Sequence, residues 1–479
     1  MAIIILDGGA NHGRELLGGK AWSIQRMLGM GIAVPPAFVL STDECGRYFA
    51  AGGKLLDGVT AALPAAMNHL ETVTRRKFAR GPRPLLVSVR SGAPVSMPGM
   101  MDTVLNLGLT PEVEQALGRE TTSAVFAADT RRRFEQQYRD VVGHAPDPDP
   151  WRQLEGAICA VFDSWHSRRA TAYRAERGID DGIGTAVTVQ AMVFGNLDER
   201  SGTGVVFTRN PSTGAAQPFG EWLPQAQGED VVSGSHDALP LATMAERMPA
   251  AHAQLIRHAQ QLETAERDMQ DIEFTVESGQ LWLLQSRAAK RSAVAAVHLA
   301  VTLQREGLIT SQEAVARVSA DQLKRALQPH IEATARATAR VLARGKPASP
   351  GIRSGLVVCS NAEAEDRADA GEAVVLARPT TDPEDMPAMM GAAAVITELG
   401  GATSHAAVVS RELGIPCIVG CGVGTVTTLG KRQVTVDAES GEVFDGALPI
   451  VTAPAHQDDV AQLAEWAAQE LARDASLTH

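Results

Sequence analysis

A histidine at the point where a glycine-ended apolar run gives way to a helix can carry a phosphoryl group, and the 479-residue chain has one such histidine. The stretch runs from Ile396 to Gly422, ITELGGATSHAAVVSRELGIPCIVGCG. Gly400 and Gly401 end the apolar run, Thr403-Ser404-His405 follow, and Ala406 to Val409 suit a first helical turn. Gly414-Ile415-Pro416 is a stop signal. This order predicts His405 at a helix N-terminus, beside free backbone N–H groups and the positive end of the helix dipole. A phosphate on the imidazole is stabilised there, and imidazole is a competent nucleophile. On residue types alone the alternative is an ordinary N-cap at Thr403 or Ser404, with His405 a polar first-turn residue.

A second set of residues suits a polyphosphate. Gly18 and Gly19 precede Lys20, so the backbone can approach a phosphate while the ammonium reaches its charge. The spacing is not that of a Walker A loop. Leu85 to Val89 reads as a strand that ends at Arg90, whose guanidinium can grip phosphate bidentately. Ser96-Met97-Pro98-Gly99-Met100 then reads as a loop of small and apolar residues, the kind that contacts something. Gly202-Thr203-Gly204 reads as a turn entering a strand, where consecutive N–H groups can cradle phosphate. Asp271 to Thr275 and Leu281 to Arg287 read as a hairpin about Ser278-Gly279. Alternation puts Asp271 and Glu273 on one face, and Gln285 and Arg287 on one face. Those groups suit a Mg²⁺-nucleotide, or a surface salt-bridge ladder.

The elements that must position these residues are those of a mixed α/β chain long enough for two to four domains. Hydrophobic residues make up 44% and charged residues 21%, as in soluble globular proteins. A net charge of -12 argues against general nucleic-acid binding. Arg131-Arg132-Arg133 reads as a solvated helix face. No apolar run reaches the roughly 18 residues of a membrane span, and no basic region precedes Ala2 to Leu6, so a cytoplasmic protein is expected. The five cysteines form no C-x-x-C pair and fit reduced thiols. Leu154, Ile158, Val161, Phe162 and Trp165 recur as a helical core stripe, and Ser292 to Glu306 reads as a helix. Thr310-x-x-Glu313 is a capping box. Lys346-Pro347-Ala348-Ser349-Pro350-Gly351 reads as a break, followed by short strands of a small α/β domain ending near Phe444. Asp458 to Arg473 reads as an amphipathic helix.

GG-x-TSHAAVV-x-R-x-x-GIPCIVG resembles the phosphohistidine domain shared by pyruvate phosphate dikinase, phosphoenolpyruvate synthase and their relatives. The segments from Leu17 to about Val301 resemble the nucleotide-binding half of the dikinase. The resemblance implies an α/β and α+β multidomain chain. It would consist of an ATP-grasp domain over 1–295, a helical linker over 296–345, a swivelling phosphohistidine domain over 346–447 and a helical tail over 448–479. By the same resemblance His405 is the phosphorylated residue, with Thr403 beside it in the catalytic motif. Lys20, Arg90, Gly99 and Thr103 are nucleotide contacts, Gln190 lies by the adenine, and Thr203 and Gly204 cover the phosphates. Asp271, Glu273 and Gln285 serve the metal and ribose side, with Glu273 and Gln285 as the Mg²⁺ ligands, and Arg287 is catalytic. Arg133, Glu221 and Asp230 match positions linked with the γ-phosphate or inorganic phosphate.

The wording VRSGA-x-VSMPGMMDT is similar to the dikinase branch, which implies inorganic phosphate as second acceptor. Three departures stand out. No counterpart of the C-terminal barrel for pyruvate and phosphoenolpyruvate follows the histidine domain. Leu399 stands where an arginine is usual, and the connection from Gly143 to Trp151 is short. The resemblance therefore implies an ATP-dependent phosphotransferase that splits ATP to AMP through phosphohistidine. Its acceptor would be a separate pyruvate or phosphoenolpyruvate subunit or an unidentified small molecule. The alternatives are a stand-alone kinase with the logic of rifampin phosphotransferase, or a non-catalytic regulatory relative.

Overall fold

Short strands of largely buried residues and helices with one apolar stripe build the chain, as seen in a computed structural model. It describes residues 3–9, 12–97, 99–232, 238–326, 330–331, 333–451 and 457–477. The chain divides into two compact units: residues 1–202 with 273–287, and residues 203–272 with 288–479. That division cuts across the expected boundary at residue 295. The cause lies in packing that the sequence does not display. Val205, Phe207 and Leu223 share a core with Val297, Val301 and Leu303.

The first unit is built on a five-stranded antiparallel sheet, in the order Ile3–Leu6, Ala37–Leu40, Ala186–Ala191, Val87–Gly92, Thr103–Leu107. The strand Ala186–Ala191 is buried along its whole length, not on one face only, which fits a central strand covered on both sides. Leu154, Ile158, Val161 and Phe162 of the helix Pro150–Asp163 are wholly buried against it. The expected stripe is core. Pro150 opens that helix behind the Asp149 cap, so the proline-rich turn doubles as a start signal. Arg131, Arg132 and Arg133 pair with Glu114, Glu135 and Asp129 on the surface of the helix Ala124–Val142. The hairpin turn at Ser278-Gly279 forms as expected, with both residues at positive φ.

The second unit holds an eight-stranded sheet. Its order is Val341–Arg344, Glu442–Asp445, Gln433–Asp437, Ile352–Val358, Val374–Arg378, Ala394–Thr397, Cys417–Val419, Lys346–Ser349. The four strands from Ile352–Val358 to Cys417–Val419 are parallel neighbours. The expected break at Lys346 to Gly351 is corrected: most of it is a strand. Val341–Arg344 pairs with Glu442–Asp445, and Lys346–Ser349 with Cys417–Val419. Pro347 is tolerated because its strand is the sheet edge, where the missing N–H costs no ladder bond. The helix Ala293–Arg305 starts at the Ser292 cap, and the Thr310–Glu313 capping box is present. The helix Gln457–Leu477 is no separate tail. Leu463 and Trp466 are buried in the core that contains Val297 and Val301, and Asp459 Oδ2 lies 2.7 Å from His298 Nδ1.

Among the described residues no helix is long and apolar enough to cross a membrane.

Candidate functional site

In the first unit Gly18 sets the geometry. It interrupts the helix Arg14–Gly29 with φ 71° and ψ 160°, a region open essentially to glycine alone. A Cβ there would lie 1.7 Å from the Gly92 carbonyl oxygen. The close approach lets the Gly19 N–H donate to Ala93 O at 2.9 Å, tying the helix to the end of the strand that carries Arg90. Lys20 then starts the helical run after the kink.

Around Lys20 several charged groups gather. Arg90 Nη2 lies 3.0 Å from Glu273 Oε2, and Lys20, Arg90 and Arg287 all act on that carboxylate. Burial pushes the Glu273 carboxyl up, but Arg90, Arg287 and Lys20 outweigh it and hold it below its usual range. Burial and then the Arg90 guanidinium hold the Lys20 ammonium well below its ordinary value; Glu273 opposes this and Arg287 adds to it. Three cations converging on one point suit the binding of an anion. Arg90 stands opposite Thr103 and Thr188 in the sheet. Gln190 is buried, with its side-chain amide donating to Pro35 O at 3.1 Å. Gly99 lies in a turn at φ 71°, and Gln285 is nearly buried on the strand Gln280–Ala288.

Glu273 and Gln285 stand on neighbouring strands of one sheet and offer hard oxygen donors. Among the described residues no group of three or more His, Cys, Asp or Glu could cage a metal. One carboxylate and one amide, Glu273 and Gln285, are the hard-oxygen set expected for Mg²⁺ that is bound largely by substrate phosphates.

Arg133 Nε donates to Asp129 Oδ2 at 2.8 Å on its own helix. In the second unit, Thr203 and Gly204 lie in the buried strand Gly202–Phe207, not in a turn, so the expected cradle of N–H groups is corrected. A neighbouring strand comes so close there that a Cβ on Gly220 would be 2.3 Å from Val205 O. Asp271 is buried on the strand Gln270–Glu277. Asp230 Oδ2 accepts from Gln227 N at 3.0 Å. Glu221 meets the histidine loop: Oε2 accepts from Thr403 Oγ1 at 3.4 Å, and Oε1 lies 3.3 Å from Lys346 Nζ. A Cβ on Gly401 would lie 1.9 Å from Glu221 Oε2, so any larger residue there would push the Glu221 carboxylate aside.

His405 is the first residue of the helix His405–Leu413, which ends at Gly414 with φ 71°. Ser404 occupies the N-cap position without a side-chain cap bond. His405 Nδ1 lies 3.2 Å from Thr381 Oγ1. Nε2 is buried and has no hydrogen-bond partner among the described residues. Burial holds the imidazole below its ordinary value of 6.5, against the opposing pull of Asp382 and Asp385. A neutral imidazole with one free nitrogen, at a helix N-terminus, can act as a nucleophile and then hold the anion it acquires. Leu399 contributes backbone bonds only, from its N–H to Pro379 O and from Thr397 Oγ1 to its carbonyl. Burial raises the Cys417 and Cys421 thiols to about 12, so neither is poised for redox or metal chemistry at neutral pH.

Thr381 escaped the sequence reading. The available signal was topological: Arg378 and Thr397 are register partners in parallel neighbouring strands. The segments leaving such strands meet at one sheet edge.

Residues 58–248 match the family described as pyruvate phosphate dikinase, AMP/ATP-binding domain. Residues 370–441 match the family described as PEP-utilising enzyme, mobile domain. The chain is 40% identical to pyruvate, phosphate dikinase of Rhizobium meliloti (strain 1021), over 96% of this chain and 59% of that protein. It is 39% identical to the enzyme of that name from Clostridium symbiosum, over 90% of this chain and 56% of the relative. For pyruvate, phosphate dikinase 2 of Zea mays the identity is 39%, over 96% and 58%. The chain thus spans somewhat under three-fifths of the length of these relatives. With two family matches in chain order, the chain carries an AMP/ATP-binding domain of the pyruvate phosphate dikinase type followed by a mobile domain of the PEP-utilising enzyme type, and it is similar to pyruvate, phosphate dikinases along almost its whole length.

Proposed function

We propose that this chain is an ATP-dependent phosphotransferase in which His405 takes a phosphoryl group from ATP and passes it on. The observation that carries the reading is the half-buried His405 at a helix N-terminus, its imidazole held below the ordinary value by burial and its buried Nε2 unpartnered among the described residues. The convergence of Lys20, Arg90 and Arg287 on Glu273 supports a polyphosphate site in the first unit. Lys20, Arg90 and Arg287 bind and orient the phosphates, and Arg287 stabilises the charge that develops as a P–O bond breaks. Gln190 lies beside the adenine. Glu273 and Gln285 would hold Mg²⁺, which when bound draws charge from the phosphates and helps align them. The nucleotide-binding part takes the ATP-grasp fold, and the sheet carrying His405 is the mobile part. The five free cysteines fit a reducing compartment such as the cytoplasm.

ATP goes to AMP, with inorganic phosphate taking one phosphoryl group as pyrophosphate and His405 the other. The final acceptor is bound by a separate chain or is a small molecule, and pyruvate is the acceptor suggested by the relatives' name. Separation of nucleotide products after incubation with Mg²⁺-ATP and phosphate tests this. AMP and pyrophosphate are expected, and Arg287→Ala should abolish both while remaining folded. ADP as the sole nucleotide product overturns the reading.

A further inference from the structure

Thr381 is 6% exposed, and its hydroxyl meets the one histidine nitrogen that has a contact. A neutral imidazole carries a single N–H. Placed on Nε2, that N–H would be a buried donor without an acceptor, the rarest kind of orphan in a folded protein. Placed on Nδ1, it is donated to Thr381 Oγ1, and Nε2 keeps its in-plane lone pair. Ser404 offers no competing partner, since its buried Oγ makes no hydrogen bond among the described residues.

The threonine is itself held. Asp382 N donates to Asp385 Oδ2 at 3.0 Å, and Glu384 N to Asp382 Oδ1 at 2.8 Å. Asp385 is 1% exposed, and its Oδ1 accepts from Asn361 Nδ2 at 2.6 Å and lies 3.3 Å from Arg378 Nη2. These bonds fix the segment directly after Thr381.

We infer that Thr381 is a positioning residue that holds His405 as the Nδ1–H tautomer and so makes Nε2 the phosphoryl-accepting atom. This deepens the reading of His405 as carrier and rests on it. In the transfer the Nε2 lone pair forms the N–P bond while the P–O bond to the leaving phosphate breaks and takes its electron pair. The proton stays on Nδ1, shared with Thr381 Oγ1, so no base is needed. The imidazolium that results lies beside the Asp382 and Asp385 carboxylates.

The test uses the full chain with ¹⁵N-labelled histidine and long-range ¹H–¹⁵N NMR, before and after Mg²⁺-ATP. Wild type and Thr381→Ser should show the Nδ1–H tautomer and phosphoryl on Nε2. Thr381→Val should lose the fixed tautomer and slow phosphorylation about tenfold, the scale of one lost hydrogen bond. An unchanged amide spectrum outside the 378–405 region shows that the variant has folded. An Nε2–H tautomer in wild type overturns the inference, as does a Val variant with wild-type tautomer and rate. If no variant accepts phosphoryl, the tautomer spectra still decide the role of Thr381, while the missing transfer counts against His405 as carrier.

Discussion

Gly18→Ala should dismantle the phosphate site without removing any of its charges. The methyl would sit 1.7 Å from Gly92 O and 2.7 Å from the Gly92 carbonyl carbon, both backbone atoms that cannot rotate away. Restoring an ordinary contact of about 3.5 Å requires a shift of about 1.8 Å between the helix start and the strand end. A residue other than glycine at φ 71° and ψ 160° adds about 1–3 kcal/mol of backbone strain, and overpacking adds about 1–3 kcal/mol more. The sum is about 2–6 kcal/mol, most of it relieved by letting Lys20 drift from Arg90 and Glu273.

Gly31→Ala is the control. Gly31 has φ 73° but nothing within 4 Å of its Cβ position, so only a left-handed backbone penalty of about 1 kcal/mol applies. Denaturant melts and ATP titration by calorimetry separate the two. Gly18→Ala should lose at least about tenfold in affinity and more stability than the control, which should bind normally. Equal stability in the two variants, with normal ATP binding, would refute the claim that the Gly18 kink positions Lys20.

Three further outcomes are expected. His405 has a folded value depressed below 6.5, so the stability of its neutral form is present above about pH 6.5 and lost as pH falls through the lowered value. Its phosphorylation rate should follow, with a midpoint below pH 6.5; a midpoint above it contradicts the buried imidazole. Glu273→Gln removes the carboxylate on which Lys20, Arg90 and Arg287 act, so the melting temperature should fall by an amount worth about 1–2 kcal/mol after allowance for solvent screening, and inorganic triphosphate should restore it. No loss, or no rescue, speaks against the anion site. Arg209 is buried between Glu263 and Glu306, and Arg209→Met should cost about 3 kcal/mol in denaturant melts by leaving Glu263 uncompensated. A loss under about 1 kcal/mol would show that water reaches the pair.

Local signals carried most of what could be read from the chain alone. The start and stop of the His405 helix lie within ten residues of one another, as do the Gly18-Gly19-Lys20 kink and the Ser278-Gly279 turn. Long-range packing was not legible. Thr381 reaches His405 because two parallel strands end at one edge, and Glu221 meets Thr403 across 182 positions. Lys346 to Gly351 has the composition of a linker, yet Cys417–Val419 recruits Lys346–Ser349 as an edge strand. The Gly202-Thr203-Gly204 run has turn chemistry, but the close approach of Gly220 makes it a strand. In each case tertiary pairing overrides a local propensity.

The central claim is that His405 carries phosphoryl from ATP. The direct measurement incubates the chain with Mg²⁺-ATP and inorganic phosphate, then maps acid-labile phosphorylation by mass spectrometry, with His405→Ala in parallel. The account predicts one acid-labile phosphoryl group on His405, formed together with AMP and pyrophosphate and absent from the variant. Label that survives in His405→Ala would contradict it, as would wild-type protein that turns over ATP and never becomes labelled.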